Sequence, residues 1–468
     1  MNYVYGRSIR LFGTHGIRGI VNSTMTPDLA IRLGRALGTS LGKERRVLIG
    51  HDPRTSSELL ECAFVSGLLD CGCNVTRLGM IPLPILAFAL RKIPSDAGVM
   101  ITASHNPPQY NGIKIYDADG SAFTNDKDSE IEDLYFSQKF AIAEYTGKGK
   151  LEEKRDIQTD YINGILEFVD SKNIQKCNFK VVVDAGGGAA SRVTPLLLSK
   201  LGCTVIEHNC DPDGLFKERP LEPRPENLSR LMELVKQHHA DLGVAHDGDA
   251  DRTAYSDENG CFIQGDRILA VMCRYLLRDR PGSTIVTSIN SSSVIDDAAR
   301  LVDAKVARTR VGEPAVIQKM KETNAPVGGE ENVGLIFRDW SWSREGPFSL
   351  ALILEIMSRE RKTISQLQGM FPVYMMRKFD VSLDPGTNYE EVKRMVMKRI
   401  ETNLPKNRTN VLTIDGFKII FDYGWLLIRP SGTEFKFRIF AEAQTEEKVE
   451  ELANLGASLV EQSRIETP

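Results

Sequence analysis

Two short stretches of the chain hold the residue types that phosphate chemistry needs. In Asp247-Gly248-Asp249-Ala250-Asp251-Arg252, three carboxylates alternate at i, i+2 and i+4. Oxygen ligands at that spacing can converge on one hard cation such as Mg²⁺. Three such carboxylates repel one another unless a cation sits among them. The second stretch is Thr102-Ala103-Ser104-His105-Asn106-Pro107, running on through Pro108 to Lys114. Two prolines forbid a regular helix, so the Ser104 hydroxyl sits on a stiff loop that suits a nucleophile or phosphate carrier. His105 and Lys114 are placed to donate to phosphate oxygens or to move protons.

Each stretch has rival readings. The serine loop also reads as a turn whose Ser, His and Asn satisfy local backbone groups. The aspartate loop also reads as an EF-hand, with Glu258 at the twelfth position, but Arg252 stands where that loop needs Gly and the preceding ADLGVA is strand-like. Two further readings are an Asp-x-Asp phosphatase with Asp247 as nucleophile and a solvated acidic turn.

Three more segments have weaker chemistry of their own. Arg429-Pro430-Ser431-Gly432-Thr433-Glu434 joins two apolar runs, and Lys436 and Arg438 alternate beyond it. An Arg, two hydroxyls and a Gly-exposed backbone form a phosphate cradle; the competing reading is a hairpin with solvated edge charges. Gly328-Gly329-Glu330-Glu331-Asn332 brings acceptors and an amide to a close backbone, a fit for sugar hydroxyls. Phe12-Gly13-Thr14-His15-Gly16-Ile17-Arg18-Gly19 places Arg18 in a glycine-rich loop as a candidate phosphate contact. The glycines after Asp184 lack the Lys-Ser/Thr of a Walker motif and read as a tight strand-to-helix turn.

The elements that must position these residues follow a repeating pattern of short apolar strand, turn and amphipathic helix. Strands are read at 45–52, 74–82 and 95–103 around a helix at 56–72. The pattern restarts near 179 and again at 283–290, with helices around 292–302 and 314–322. Such alternation implies sheets with parallel strands covered by helices. After about 370 it gives way to strand-rich sequence with helices at 389–402 and 445–463. The polar segment 141–158 reads as a linker or exposed hairpin. The fold class expected is therefore α/β: three related domains with mixed sheets flanked by helices, plus a smaller C-terminal α+β domain. The boundaries are 1–155, 156–258, 259–370 and 371–468.

The 468 residues exceed one ordinary core. A net charge of −4 gives no global attraction to nucleic acid or an anionic membrane. Neither a leader segment nor an apolar run of about 18 residues is read, which points to the cytoplasm. The eight cysteines have no metal or redox spacing and read as reduced thiols.

Taken together, in this order along the chain, the motifs resemble the α-D-phosphohexomutase superfamily of phosphoglucomutases, phosphomannomutases and phosphoglucosamine mutases. The resemblance covers essentially the whole length. It implies four domains around one central cleft and an intramolecular phosphotransferase of the isomerase class. By resemblance Ser104 is the phosphoserine, and Asp247, Asp249 and Asp251 hold one Mg²⁺ together with its phosphate. Arg18, Lys114 and Arg252 face the cleft. Glu330 and Asn332 bind the sugar, and Arg429, Ser431, Gly432 and Thr433, reinforced by Arg438, hold the phosphate that is not being transferred. A sugar 1,6-bisphosphate serves as intermediate and activator. The partner is a small phosphosugar, with no nucleic acid or membrane, and the chain acts as monomer or homodimer.

Departures from the pattern bear on the substrate. The sugar loop lacks the Ser and His of the familiar bacterial branches and looks like archaeal members. Glu313 stands where phosphomannomutases often carry His and phosphoglucosamine mutases often carry Asp; it also reads as a helix N-terminal acid before Pro314. Phe435 replaces a common Pro. The expectation is a mutase interconverting 6-phospho and 1-phospho hexoses, phosphoglucosamine mutase first. Phosphomannomutase/phosphoglucomutase or phosphopentomutase activity is the alternative, a metal-dependent sugar phosphatase a further one, and a non-enzymatic sugar-phosphate sensor the last.

Overall fold

In the computed structural model, residues 11–13, 16–332, 334–383, 389–431 and 435–462 are described with their side chains, and 3–4, 7–8 and 463–465 by backbone alone. Four large sheets organise them. The first has the strand order Ile17–Ile20, Tyr110–Asp117, Ala97–Ile101, Arg46–His51, Asn74–Met80, Leu151–Glu153. The second runs Thr204–His208, Lys180–Asp184, Leu242–His246, Thr253–Ser256, Phe262–Ile263, and the third Lys305–Thr309, Thr284–Ser288, Val327–Gly329, Leu335–Phe337, Ser341–Arg344.

These three sheets share one plan. Three adjacent strands are parallel, and the third turns back into two antiparallel neighbours. The sequence pattern predicts related units, and the pairing shows the relation directly. The first sheet differs in two ways: its last antiparallel strand, Ile17–Ile20, is supplied from the N-terminal side, whereas the other two take theirs from downstream, and it carries an extra parallel edge strand, Leu151–Glu153. The strands that lead into the candidate loops, Ala97–Ile101 and Leu242–His246, are buried at every position, as expected for strands covered on both faces.

The fourth sheet is wholly antiparallel, in the order Met375–Ser382, Lys436–Ala443, Gly424–Pro430, Phe417–Phe421, Asn410–Leu412. Helices Tyr389–Thr402 and Glu446–Ile465 accompany it, completing an α+β unit. The segment 141–158 is neither a free linker nor a hairpin. Leu151–Glu153 adds to the first sheet as a parallel edge strand beside Asn74–Met80, and a helix begins at Ile157. Its exposed, charged side chains hid the strand from a hydrophobicity reading.

The α/β units share a core. One apolar cluster includes Phe88, Tyr161, Trp340 and Phe348, one or two from each unit. The Trp340 and Phe348 rings stack 4.5 Å apart, and Phe88 lies 5.3 Å from Trp340. The fourth unit has its own core and meets the third through Ile289, Trp425, Leu427 and Phe440. No helix among the described residues is long and apolar enough to cross a membrane.

Glu345 is buried at the aromatic junction, where the Tyr161 hydroxyl donates to its Oε2 at 2.7 Å. Burial pushes its carboxyl up to about 8. The unfolded chain loses this proton near the ordinary value of about 4.3. The Glu345 contribution is thus complete below that pH and is lost as pH rises through about 8. Between those values its slope is at most about 1.4 kcal/mol per pH unit. Glu345→Gln, neutral and isosteric, should flatten the decline of stability from pH 5 to 8; an unchanged pH profile in thermal melts would show that Glu345 is ionised in the folded state.

Candidate active site

The repeated sheet plan brings the candidate loops together. In each α/β unit, the loop sits where the third parallel strand turns into its antiparallel neighbour: 102–109, 247–252 and 330–334. These turns lie at the carboxyl ends of the parallel strands, where open α/β sheets bind ligands. In the fourth unit, Ser431 follows the strand Gly424–Pro430 and Phe435 precedes its antiparallel neighbour Lys436–Ala443.

Ser104 meets the aspartate loop directly. Its hydroxyl donates to Asp247 Oδ2 at 2.6 Å, and both residues are fully buried. The backbone at Ser104 has φ +53°, a conformation that costs a non-glycine residue on the order of 1–3 kcal/mol. Gly248 permits the approach, because a Cβ there would lie 2.5 Å from the Ser104 carbonyl oxygen.

One residue absent from the sequence reading holds the serine loop in that shape. The Arg54 guanidinium is 2% exposed and spans the loop. Nη2 donates to the carbonyls of Ser104 at 2.9 Å and Asn106 at 2.7 Å, and Nη1 to those of Pro107 at 2.7 Å and Tyr110 at 2.9 Å. Its Nε donates to Asp52 Oδ2 at 3.0 Å; the same oxygen accepts from Thr102 Oγ1, which in turn accepts from the Ser104 amide. Five directed donors on a planar fork suit a task that a lysine cannot perform.

The three aspartates converge, with one carboxylate oxygen from each lying within 4.8 Å of the others. All are fully buried. Burial, and then the charges of Asp249 and Asp251, raise the Asp247 carboxyl well above the usual range. Lys114 Nζ, also buried, offsets part of the charge, at 2.7 Å from Asp249 Oδ2 and 3.4 Å from Asp251 Oδ2. Asp249 Oδ1 is buried without a hydrogen-bond partner. A convergent all-oxygen donor set with an unpaired buried oxygen fits a hard divalent cation.

The basic residues expected nearby are present. Arg18 Nη1 donates to Asn106 Oδ1 at 2.6 Å. Burial pushes its guanidinium down, and so do Arg252 and Arg344, while Asp249 and Asp251 oppose that. Arg252 Nη1 donates to Glu222 Oε1 at 2.6 Å. His105 Nδ1 lies 3.3 Å from the Ser104 hydroxyl, and its Nε2 is 3.2 Å from Glu222 Oε2. Burial, with the Arg252 and Arg18 charges, pushes His105 down to about 2, which favours its neutral imidazole.

The sugar-loop candidates lie on the third unit's side. Glu330 Oε1 accepts from the Gly312 amide at 2.7 Å. Asn332 Oδ1 instead accepts from the Gly334 amide at 3.3 Å, closing its own turn. Glu313 opens the helix Glu313–Thr323, buried, with Arg344 Nε 3.1 Å from its Oε2. In the fourth unit Arg429 and Arg438 are directly opposite in register, a like-charged pair that an anion would relieve. Arg429 Nε donates to Asp415 Oδ2 at 2.6 Å, and the same oxygen accepts from the Val311 amide at 3.2 Å. Ser431 is buried; Gly432 and Thr433 lie outside the described residues, as do Thr14 and His15. Arg54, Glu222 and Arg344 are the site residues that sequence motifs did not reveal.

Fold and site together define a phosphosugar mutase. The chain belongs to the phosphoglucomutase/phosphomannomutase family: its α/β/α domain I matches residues 9–142, domain II 159–260, domain III 264–374 and the C-terminal domain 386–455. It is 42% identical over 458 residues to a phosphoglucomutase/phosphomannomutase of Thermococcus kodakarensis, covering 97% of this chain and 99% of that one. It is 38% identical to a phosphoglucosamine/phosphogalactosamine mutase of Sulfurisphaera tokodaii, covering 97% and 99%. A crystal structure of a family protein from Burkholderia thailandensis superposes with a TM-score of 0.87 at 26% identity, covering 98% of both chains.

Arg54→Lys should test the clamp. With four loop carbonyls and Asp52 losing their planar partner, misplacement of Ser104 should lower kcat by about 10²-fold while leaving the Kd for a phosphosugar within a few-fold. A kcat at the wild-type level in a folded variant would remove Arg54 from the positioning of Ser104.

Proposed function

We propose that the protein interconverts 6-phospho and 1-phospho hexosamines, as a phosphoglucosamine mutase, through a phosphorylated Ser104. The contact that carries this reading is the 2.6 Å hydrogen bond between Ser104 and Asp247, which sets the hydroxyl against the one convergent carboxylate cluster found among the described residues. The domain division at 155, 258 and 370 and the role of each residue below belong to the same reading.

Phosphoserine at 104 carries a charge of about −2. Lys114, Arg18 and Arg252 stand around it, and Asp247, Asp249 and Asp251 would hold one Mg²⁺ beside it. The cation, when bound, supplies charge neutralisation for the transferring phosphoryl group. Glu330 and Asn332 orient the sugar ring, while Arg429, Ser431, Gly432, Thr433 and Arg438 hold its existing phosphate. In the first half-reaction the bond from phosphorus to Ser104 Oγ breaks and a bond to the sugar hydroxyl oxygen forms. The proton of that hydroxyl passes to the released Ser104 Oγ, which becomes a hydroxyl again, and a sugar 1,6-bisphosphate results. After the bisphosphate turns over, the bond from the other phosphorus to its sugar oxygen breaks, Ser104 Oγ takes that phosphoryl group, and the serine proton passes to the freed sugar oxygen; the same bisphosphate added from outside would charge an unphosphorylated enzyme. The separate core of the fourth unit supports its closing over the sugar to exclude water, which would otherwise intercept the phosphoryl group.

Amino-sugar preference is supported by the charge around the ring site. Arg344 faces Glu313 and Glu330 at once, an acidic excess that suits an ammonium group. The neutral hexose phosphates and pentose phosphates are the alternatives. A phosphatase using Asp247 is disfavoured because that carboxylate is hydrogen-bonded to Ser104. A cytoplasmic location is supported by eight unpaired thiols.

The deciding assay couples product formation to a panel of glucosamine, mannose and glucose 6-phosphates and ribose 5-phosphate, with Mg²⁺ and catalytic bisphosphate. Glucosamine 6-phosphate should give the highest kcat/KM, and Ser104→Ala should abolish conversion. Release of inorganic phosphate, or full turnover by the variant, would overturn the phosphoserine reading; a preferred neutral sugar would overturn only the substrate.

A further inference from the structure

Arg344 belongs to none of the motifs from which the site was read, yet it touches three of its parts. We infer that Arg344 is a positioning residue that couples cation binding at the aspartate loop to sugar binding at loop 330–334. The inference rests on the mutase reading for the identity of the two ligands and adds to it how their sites communicate.

The geometry is that of a bridge. Arg344 ends the strand Ser341–Arg344, with only 5% of its side chain exposed. Nη2 donates to Asp251 Oδ2 at 2.5 Å. Nε lies 3.1 Å from Glu313 Oε2 and Nη1 4.0 Å from Glu330 Oε2. One guanidinium therefore faces three carboxylates from three chain segments, and a fully buried charge in that position is held only by its partners.

The stem of the side chain does a second job. The backbone of the sugar loop rests on it: a Cβ at Gly334 would fall 2.1 Å from Arg344 Cδ. The loop closes through the Glu330 amide, which donates to the Gly334 carbonyl at 3.2 Å. Glu330 is thus fixed at one end by a loop seated on Arg344 and at its carboxylate by the Gly312 amide. The head of Arg344 is meanwhile fixed by Asp251, whose Oδ2 also faces Lys114 at 3.4 Å. Displacement of the Asp251 carboxylate is a displacement of the seat of the sugar loop.

This gives the coupling its direction. A cation that takes up charge from Asp251 leaves more of the Arg344 charge for Glu313 and Glu330, and draws the sugar-binding carboxylates into a fixed position before the sugar arrives. By linkage, bound sugar raises cation affinity by the same factor. A lysine at 344 would keep one positive charge but lacks the fork to reach all three carboxylates.

The test is calorimetric and needs no turnover. Dephosphorylated protein is titrated with glucosamine 6-phosphate, and separately with mannose 6-phosphate, with and without saturating MgCl₂; Mg²⁺ is also titrated alone. Wild type should bind the sugar at least about 5-fold more tightly with Mg²⁺, the lower end of ordinary coupling. Arg344→Lys should bring that factor close to one. Gly334→Ala disturbs the seat without changing charge and should reduce the factor as well. An unchanged factor in a folded Arg344→Lys or Gly334→Ala protein would overturn the inference, as would a wild-type factor of one. The mutase reading fails separately, if the Ser104→Ala variant still converts substrate.

Discussion

Three buried carboxylates within reach of a single cation are an unfavourable thing to build, and much of this structure exists to make them tolerable. Asp247, Asp249 and Asp251 are fully buried. The repulsion shows in Asp247, whose carboxyl is held far above its usual range by burial and by its two neighbours. The chain answers with two buried cations. Lys114 comes from the first sheet and Arg344 from the third, and both bond to the triad. The triad is therefore where the three α/β units must meet. Loss of either cation from the closed assembly would leave a buried carboxylate uncompensated, which costs several kcal/mol.

The meeting point is set by topology before any side chain is chosen. Each α/β sheet runs parallel strands and then reverses, and the reversal is where its candidate loop lies. The shared apolar cluster around Trp340 keeps the units in fixed relation, so the three reversals face a common space. From there a polar path continues to the fourth unit. Glu330 bonds to the Gly312 amide, Asp415 to the neighbouring Val311 amide, and Arg429 to Asp415. One end of that path is the proposed phosphoserine and the other the proposed phosphate cradle. A mutase must hold a sugar by one phosphate while reacting at the far hydroxyl, and this is the span it would have to control.

Much of this was legible in the sequence, for physical reasons that differ by element. The strands at Arg46–His51 and Ala97–Ile101 and the helix Tyr389–Thr402 announce themselves by apolar period. Ser104 and the aspartates were legible because their chemistry is local: a few consecutive residues carry both the reactive groups and the turn that presents them. Arg54 was not, because what defines it is four carbonyls about 50 residues away. Glu222 and Arg344 escaped for the same reason, and the edge strand Leu151–Glu153 because its exposed charges look like a linker.

What the missed residues have in common is that none of them presents a reactive group. Arg54 shapes the serine loop, Glu222 holds His105 and Arg252, and Arg344 joins the aspartate loop to the sugar loop. Phosphoryl transfer asks little covalent help of a protein and a great deal of placement. The groups that touch phosphate can therefore be shared across phosphosugars, because the phosphate is the same in all of them. Discrimination among sugars has to come from residues that set where the ring lies relative to the fixed phosphoryl centre. In this chain the proposed set is Glu313, Glu330 and the arginine between them, and Glu313 is also one of the positions where the sequence departs from the bacterial pattern.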